Sequence, residues 1–292
     1  MKSLGGTPIR RLLLRILLYG GGLFIGVPVA FSYVMTKTFP ASSLGHPPRE
    51  YQELWLHSEG LRLRAWLSVV SGDKPAVVIA HGLGDSLESY LEHARPLRER
   101  GHTVLLVDLR GHGGSEGAHC TLGGRERADV AAAVAELRGR GLTAQGIVLE
   151  GHSMGAVAVL LAAADATDVR GVIVEAPYDT YRNTIAHHAK LLYGLPSWAP
   201  IIPLAILAAE WRAGFGADGI DAVAAASRIH APLFAIVDGL DPRMPEPVVR
   251  RIYDAHPGPK RLWVAPGVDH VGAIALRDYW PRVRAFLDEN GL

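Results

Sequence analysis

Seven short apolar runs, most of them separated by helix-length stretches, constrain this chain more than any other feature. The runs lie at 61–70, 76–80, 103–107, 146–149, 171–174, 232–237 and 261–265. The intervening helical stretches lie at 88–100, 124–140, 154–166, 246–256 and 276–289. Runs that are apolar on both faces and alternate with helices predict a parallel sheet covered on both sides, an α/β fold. The first pair, 51–56 and 61–70, alternates polar with apolar residues and meets at Glu59-Gly60. That pattern predicts an antiparallel hairpin at the sheet edge. An insertion at about 178–230 interrupts the alternation, and a single domain over 51–292 accounts for the rest.

Hydropathy localises a second feature. The mean hydropathy of +0.15 is high for a soluble domain of 292 residues. Much of the excess sits in Ile16–Met35, twenty residues without a charge, which as a helix would span roughly 30 Å, one hydrocarbon core. Lys2, Arg10, Arg11 and Arg15 precede this run and only Lys37 follows closely. The asymmetry predicts a transmembrane signal-anchor at 16–35 behind a basic tail at 1–15, with the N-terminus cytoplasmic and the catalytic domain extracytoplasmic. The alternative is a cleaved signal peptide, but the run exceeds the usual 7–15 apolar residues and no A-x-A-like site ends it. Residues 36–50 carry Pro40, Pro47 and Pro48 and read as a linker.

Composition also excludes. Thirty basic against 29 acidic residues leave no basic excess for nucleic-acid binding. One cysteine, Cys120, rules out an internal disulfide framework and a cysteine-built zinc site. The adjacent His187 and His188 lack an acidic partner at helical spacing, so no metal site is expected.

Chemistry concentrates after the run 146–149, where the chain reads Glu150-Gly151-His152-Ser153-Met154-Gly155-Ala156. This is G-x-S-x-G between a predicted strand and a predicted helix, the setting that strains a serine and exposes its hydroxyl. The helix start offers backbone N–H groups and a positive dipole end to an oxyanion. His152 lies inside the turn and cannot serve Ser153 as base. A serine nucleophile needs a base and an orienting acid. Asp241 follows the run 232–237 and His270 follows 261–265, so acid and histidine come after the serine in the order such a sheet requires. Asp238 competes with Asp241, and spacing from Pro242 and Pro245 favours Asp241. The glycine-rich His81-Gly82-Leu83-Gly84-Asp85-Ser86 makes the Leu83 N–H a second oxyanion donor beside that of Met154, with Ser86 as a helix N-cap. Glu150 and Glu175 end apolar runs and read as buried polar supports, and Cys120 is assigned no redox role.

Over roughly 51–290 the chain resembles the α/β-hydrolase superfamily, in HGLGDS at 81–86, DLRGHGGSEG at 108–117, GHSMGA at 151–156, DGLDPRMP at 238–245 and GVDH at 267–270. It is similar to the monoacylglycerol-lipase-like and serine-aminopeptidase-like branch, including single-pass membrane-anchored relatives. The resemblance implies that the 108–117 segment is a structural loop, with His112 positional. It also implies a cap over the site, apolar at 191–211, and a cofactor-free serine hydrolase acting on small-molecule or lipid acyl esters. Amide or peptide hydrolysis with the same residues is the alternative; an amine-binding acidic subsite, with Glu210, Asp218 and Asp221 as the few candidates, would mark it. A noncatalytic binding protein of the same fold is the third possibility, and the intact serine, acid and histidine argue against it.

Overall fold

A computed structural model describes residues 8–70 and 73–292, so part of the basic tail, including Lys2, lies outside the described residues. Eight strands form one sheet: β2 (Gln52–Ser58), β3 (Leu61–Ser68), β4 (Ala76–Ala80), β5 (Val104–Val107), β7 (Ile147–His152), β8 (Val169–Glu175), β9 (Leu233–Asp238) and β10 (Lys260–Ala265). Their order across the sheet is β10-β9-β8-β7-β4-β5-β3-β2. The β2–β3 and β3–β5 pairs are antiparallel and all the others are parallel. The hairpin therefore sits at the edge, turning at Glu59-Gly60, both with positive φ.

Strand alternation divides the core. Val77 and Ile79 of β4 face the layer containing α3 (Leu91–Glu99) and α10 (Tyr279–Glu289). Ala76, Val78 and Ala80 face the opposite layer, where α4 (Glu126–Gly139), α5 (Met154–Ala163) and α9 (Glu246–Ala255) lie. With both faces covered, the central strands have no polar side, which explains their continuous apolar sequence. Helix α5 is apolar nearly all round because it is enclosed by the sheet, α4 and the cap's last helix.

The chain leaves β4 for β5 on one side, while β7 pairs on β4's other side. Strand order thus reverses at β4, and the crevice beyond the carboxyl ends of β4 and β7 is where a ligand site is expected in an open α/β sheet.

The cap comprises α6 (Tyr181–Tyr193), α7 (Ile201–Ala213) and α8 (Ala222–Ala226). Its two ends are stitched together: Tyr181 N donates to Ile220 O at 3.0 Å and Ala222 N to Asp179 O at 2.8 Å. Thr180 caps α6 and Asp221 caps α8, whereas Ser86, expected to cap a helix, makes no side-chain cap bond and its neighbour Asp85 accepts its N–H instead.

The N-terminal segment departs from expectation in two ways. One continuous helix runs from Pro8 to Met35, beginning before residue 16 and, by length and composition, able to cross a membrane. It consists of α1 (Pro8–Gly21), a π-helical stretch at Gly22–Gly26 and α2 (Val27–Met35). At 1.5 Å per residue its 28 residues cover about 42 Å, more than a hydrocarbon core requires. The surplus, α2, packs on α7. The segment expected to be a linker is also docked. Its β1 (Phe39–Pro40) pairs with β6 (His112–Gly113), and Gly45 accepts from Arg64 and donates to Glu88 Oε1. Prolines here stop helix without freeing the chain, because backbone partners lie on the 108–117 loop.

Candidate active site

Ser153 stands at the turn from β7 into α5 with φ 51° and ψ −114°, a costly conformation for a non-glycine residue. The close approach of backbones explains the glycines of the motif. A Cβ on Gly155 would lie 2.3 Å from Ala80 O, and one on Gly151 would lie 2.5 Å from Gly155 O. The turn is tied down by Ser153 N donating to Glu175 O at 2.9 Å.

His270 Nε2 lies 2.8 Å from Ser153 Oγ, and its Nδ1 lies 2.6 Å from Asp241 Oδ2. Residues 153, 241 and 270 thus form one hydrogen-bonded row at the carboxyl ends of β7, β9 and β10. Burial acts to raise the Asp241 pKa, but the hydrogen bond and positive charge that His270 can offer pull it below its ordinary value. Arg243 N donates to its other oxygen at 2.7 Å.

Asp238 does something different. Its carboxylate accepts from Val271 N at 2.7 Å and from Ala273 N at 2.9 Å. Val271 has φ 57°, a strained position for a β-branched residue, so these bonds hold the loop that carries His270. Burial, then the nearby Glu175 charge, push the Asp238 pKa up to about 8.

Behind Ser153 lies a buried polar chain. His152 Nδ1 meets Glu175 Oε2 at 3.0 Å, and His93 Nε2 meets Glu150 Oε1 at 2.6 Å, which also accepts from Tyr279 OH. Burial alone would lower the His152 pKa, but the Glu150 and Glu175 carboxylates beside it raise it to about 9. Glu150 is held well below the carboxylate range despite its burial, by the charges and hydrogen bonds of His93 and His152. Glu150 and Glu175 are therefore supports, as their positions at the ends of apolar runs implied. The carboxylates' partners, 57 and 23 residues away from them in sequence, carried no signal. His93, Glu150 and His152 also cluster closely enough for a metal to be considered. Their shortest contact is already a direct hydrogen bond, and the carboxylates beside His152 raise its pKa to about 9, which disfavours coordination.

The 81–86 loop crosses in front of Ser153: a Cβ on Gly82 would lie 3.6 Å from Ser153 Cβ. Among the described residues, the Leu83 and Met154 amides donate to no protein acceptor. In the 108–117 loop, Asp108 accepts from Leu87 N and Gly114 N, while Arg110 pairs with the buried Asp129. His112 stacks on Phe39 with its Nδ1 on Arg110 O, apart from the serine row. Cys120 is buried against Met154 Sδ. His187 and His188 engage Pro242 O and Thr184 O.

Above Ser153 opens a cavity of about 420 Å³, lined mainly by apolar side chains from the cap, the 81–85 loop and α2. Asp85 is its one lining carboxylate among the described residues. Phe31, Val34 and Met35 of α2 carry no sequence signal for a place in this wall, since their pattern is equally that of any lipid-facing helix.

The sheet order, the cap and the strained serine turn together define an α/β-hydrolase fold. Its residues 72–206 match the family model described as serine aminopeptidase, S33. Among curated proteins it is 29% identical over 227 residues to the uncharacterized protein YqkD of Bacillus subtilis, covering 75% of this chain and 73% of that one. It is 28% identical over 239 residues to Rv2307c of Mycobacterium tuberculosis, another uncharacterized protein, covering 80% and 78%. Among solved structures, the Pyrococcus furiosus esterase Pf2001 superposes with a TM-score of 0.68 at 24% identity, covering 86% of this chain and 98% of that one. The Pyrococcus horikoshii acylaminoacyl peptidase superposes at 0.61 with 14% identity, covering 82% and 42%. At these identities the structural likeness is one of fold.

Proposed function

We propose that this hydrolase cleaves carboxylic esters of hydrophobic acyl groups through an acyl-enzyme on Ser153. The observation that carries the reading is the unbroken row from Asp241 through His270 to Ser153, opening into an apolar cavity. His270 Nε2 accepts the Ser153 proton as Oγ attacks the ester carbonyl. Asp241 keeps the other imidazole proton on Nδ1 and stabilises the imidazolium. The Leu83 amide on the 81–86 loop and the Met154 amide at the start of α5, both without a protein acceptor among the described residues, take the oxyanion. Collapse of the tetrahedral intermediate expels the alcohol, which takes the proton from His270. Water, deprotonated in turn by His270, then attacks the acyl carbon and releases the acid. No step requires a metal or organic cofactor.

The apolar cavity favours an ester of a greasy acid over an aminoacyl substrate. Amide hydrolysis would call for an acidic subsite, and the three carboxylates suggested for it are engaged elsewhere. Glu210 accepts from Ala217 N, Asp218 pairs with Arg182, and Asp221 caps α8. Among the described residues, Asp85 is the one carboxylate at the cavity for that role. The long apolar N-terminal helix, with its basic leading side, supports a membrane-anchored enzyme whose domain lies on the extracytoplasmic side.

Purified protein is expected to hydrolyse 4-nitrophenyl esters, with kcat/KM rising from acetate toward longer-chain acids and aminoacyl 4-nitroanilides turned over far more slowly. Preferential cleavage of the anilides would overturn the ester reading in favour of the amide one.

A further inference from the structure

The cavity over Ser153 is not closed by the catalytic domain and its cap alone. Phe31, Val34 and Met35 of α2 line it together with Leu192 and Tyr193 of α6 and Ile202 of α7. A helix serving only as a tether would have no reason to be fastened at this point, yet α2 is fastened by polar contacts on one face. Arg212 Nη1 donates to Ser32 Oγ and to Thr36 Oγ1, each at 3.1 Å, and its guanidinium lies over the Tyr33 ring. Cys120 N donates to Thr36 O at 3.2 Å, and Phe31 meets Tyr193 edge to face at 5.1 Å. Ser32 and Thr36 are buried, while Val34, Leu192 and Tyr193 leave an exposed apolar rim on the cavity. The same helix continues without a break to Pro8, uncharged from Met35 back to Ile16.

We propose that α2 is a wall of the acyl-binding pocket, so that the membrane helix itself helps set which acyl chains the enzyme accepts, the substrate being a long-chain acyl ester. This rests on the ester-hydrolase reading above. The apolar rim joins the pocket to the helix that meets the bilayer, giving an acyl chain a continuous greasy path from lipid to Ser153. Each methylene buried contributes about 0.8 kcal/mol, roughly fourfold in kcat/KM when it is displaced.

The test uses the full chain in phospholipid nanodiscs and a 4-nitrophenyl ester series from acetate to palmitate. Val34→Trp fills the pocket from the helix side and is expected to shorten the preferred chain, by about fourfold in relative kcat/KM per excluded methylene. Phe31→Ala enlarges the pocket and is expected to lengthen the preference, an opposite shift that mere misfolding does not produce. Ile25→Trp, on the same helix outside the pocket, is expected to keep the wild-type profile. The inference is overturned if Val34→Trp and Phe31→Ala both keep that profile while Ile202→Trp, across the pocket on α7, shifts it; the ester reading would then stand with the helix as anchor only. It is equally overturned if Ile25→Trp shifts the profile as much as Val34→Trp. Absence of ester hydrolysis by the wild type would remove the underlying reading and this inference with it.

Discussion

The floor and the roof of the cavity are built on opposite principles. The floor rests on strand ends, where Ser153, Asp241, His270, Asp238, Glu150 and Glu175 are held by short hydrogen bonds and backbone contacts with no spare room. The roof consists of α6, α7 and α2, helices from two distant parts of the sequence that line the cavity largely with apolar side chains, with Leu207 and Trp211 of α7 turned outward. Buried ionisable groups have to be satisfied in place, which makes the floor unforgiving; an apolar roof needs only shape and volume, which makes it adjustable. On the proposed function, the difference teaches that chemistry is kept at the strand ends of the sheet and substrate choice is left to the helices above it.

The sharpest way to break the comparison is within the floor itself. Asp241→Asn is expected to lower kcat by about 10⁴, as loss of the correct imidazole tautomer does in serine hydrolases generally. Asp238→Asn is expected to cost far less turnover and to lower the melting temperature, because it forfeits one of the two bonds to the His270 loop. Steady-state kinetics and thermal unfolding on both variants check this, and an equal loss of kcat would erase the division of labour between them.

That division shows what the sequence could and could not carry. Ser153 and His270 were legible because G-x-S-x-G and the order of strand ends are local signals, and the strands were legible because burial on both faces leaves a continuous apolar run. Choosing between Asp238 and Asp241 depends on which carboxylate turns toward the histidine. Three residues apart at and just beyond the end of β9, they differ in tertiary direction, and the proline spacing favoured the one whose Oδ2 lies 2.6 Å from His270 Nδ1. The docking of 39–45 was illegible because a two-residue strand has no pattern to read. The roof's use of α2 was illegible for the same kind of reason: pocket-facing and lipid-facing apolar residues look alike until another helix is packed against them.

A smaller effect sharpens the account of the buried charges. The Asp238 pKa rises from 3.8 to about 8, so between those values the folded chain holds a proton that the unfolded chain has released, and stability falls as pH rises. The His152 pKa rises from 6.5 to about 9, so its contribution is complete below 6.5 and is lost as pH climbs through 9. Both act between pH 6.5 and 8, a window above the range where buried histidines with lowered pKa, such as His81 and His112, affect stability. The melting temperature is expected to fall steadily across that window, and Asp238→Asn is expected to reduce the slope by about half. A flat profile in the wild type would mean that these protons are not bound in the folded state.

The smallest effect belongs to the roof. Trp211→Ser removes an outward-facing ring that is 85% exposed, and its effect on stability in detergent is expected to stay within about 0.5 kcal/mol by denaturant titration. A loss of several kcal/mol would mean that the roof is packed as tightly as the floor.

Covalent capture of the nucleophile tests the central claim most directly. Incubation with a fluorophosphonate, followed by mass spectrometry of the digested protein, is expected to locate one adduct on the Ser153 peptide in the wild type and none in Ser153→Ala. An adduct that persists in Ser153→Ala, or that forms on another residue in the wild type, would contradict the assignment of Ser153 as the group that attacks substrate.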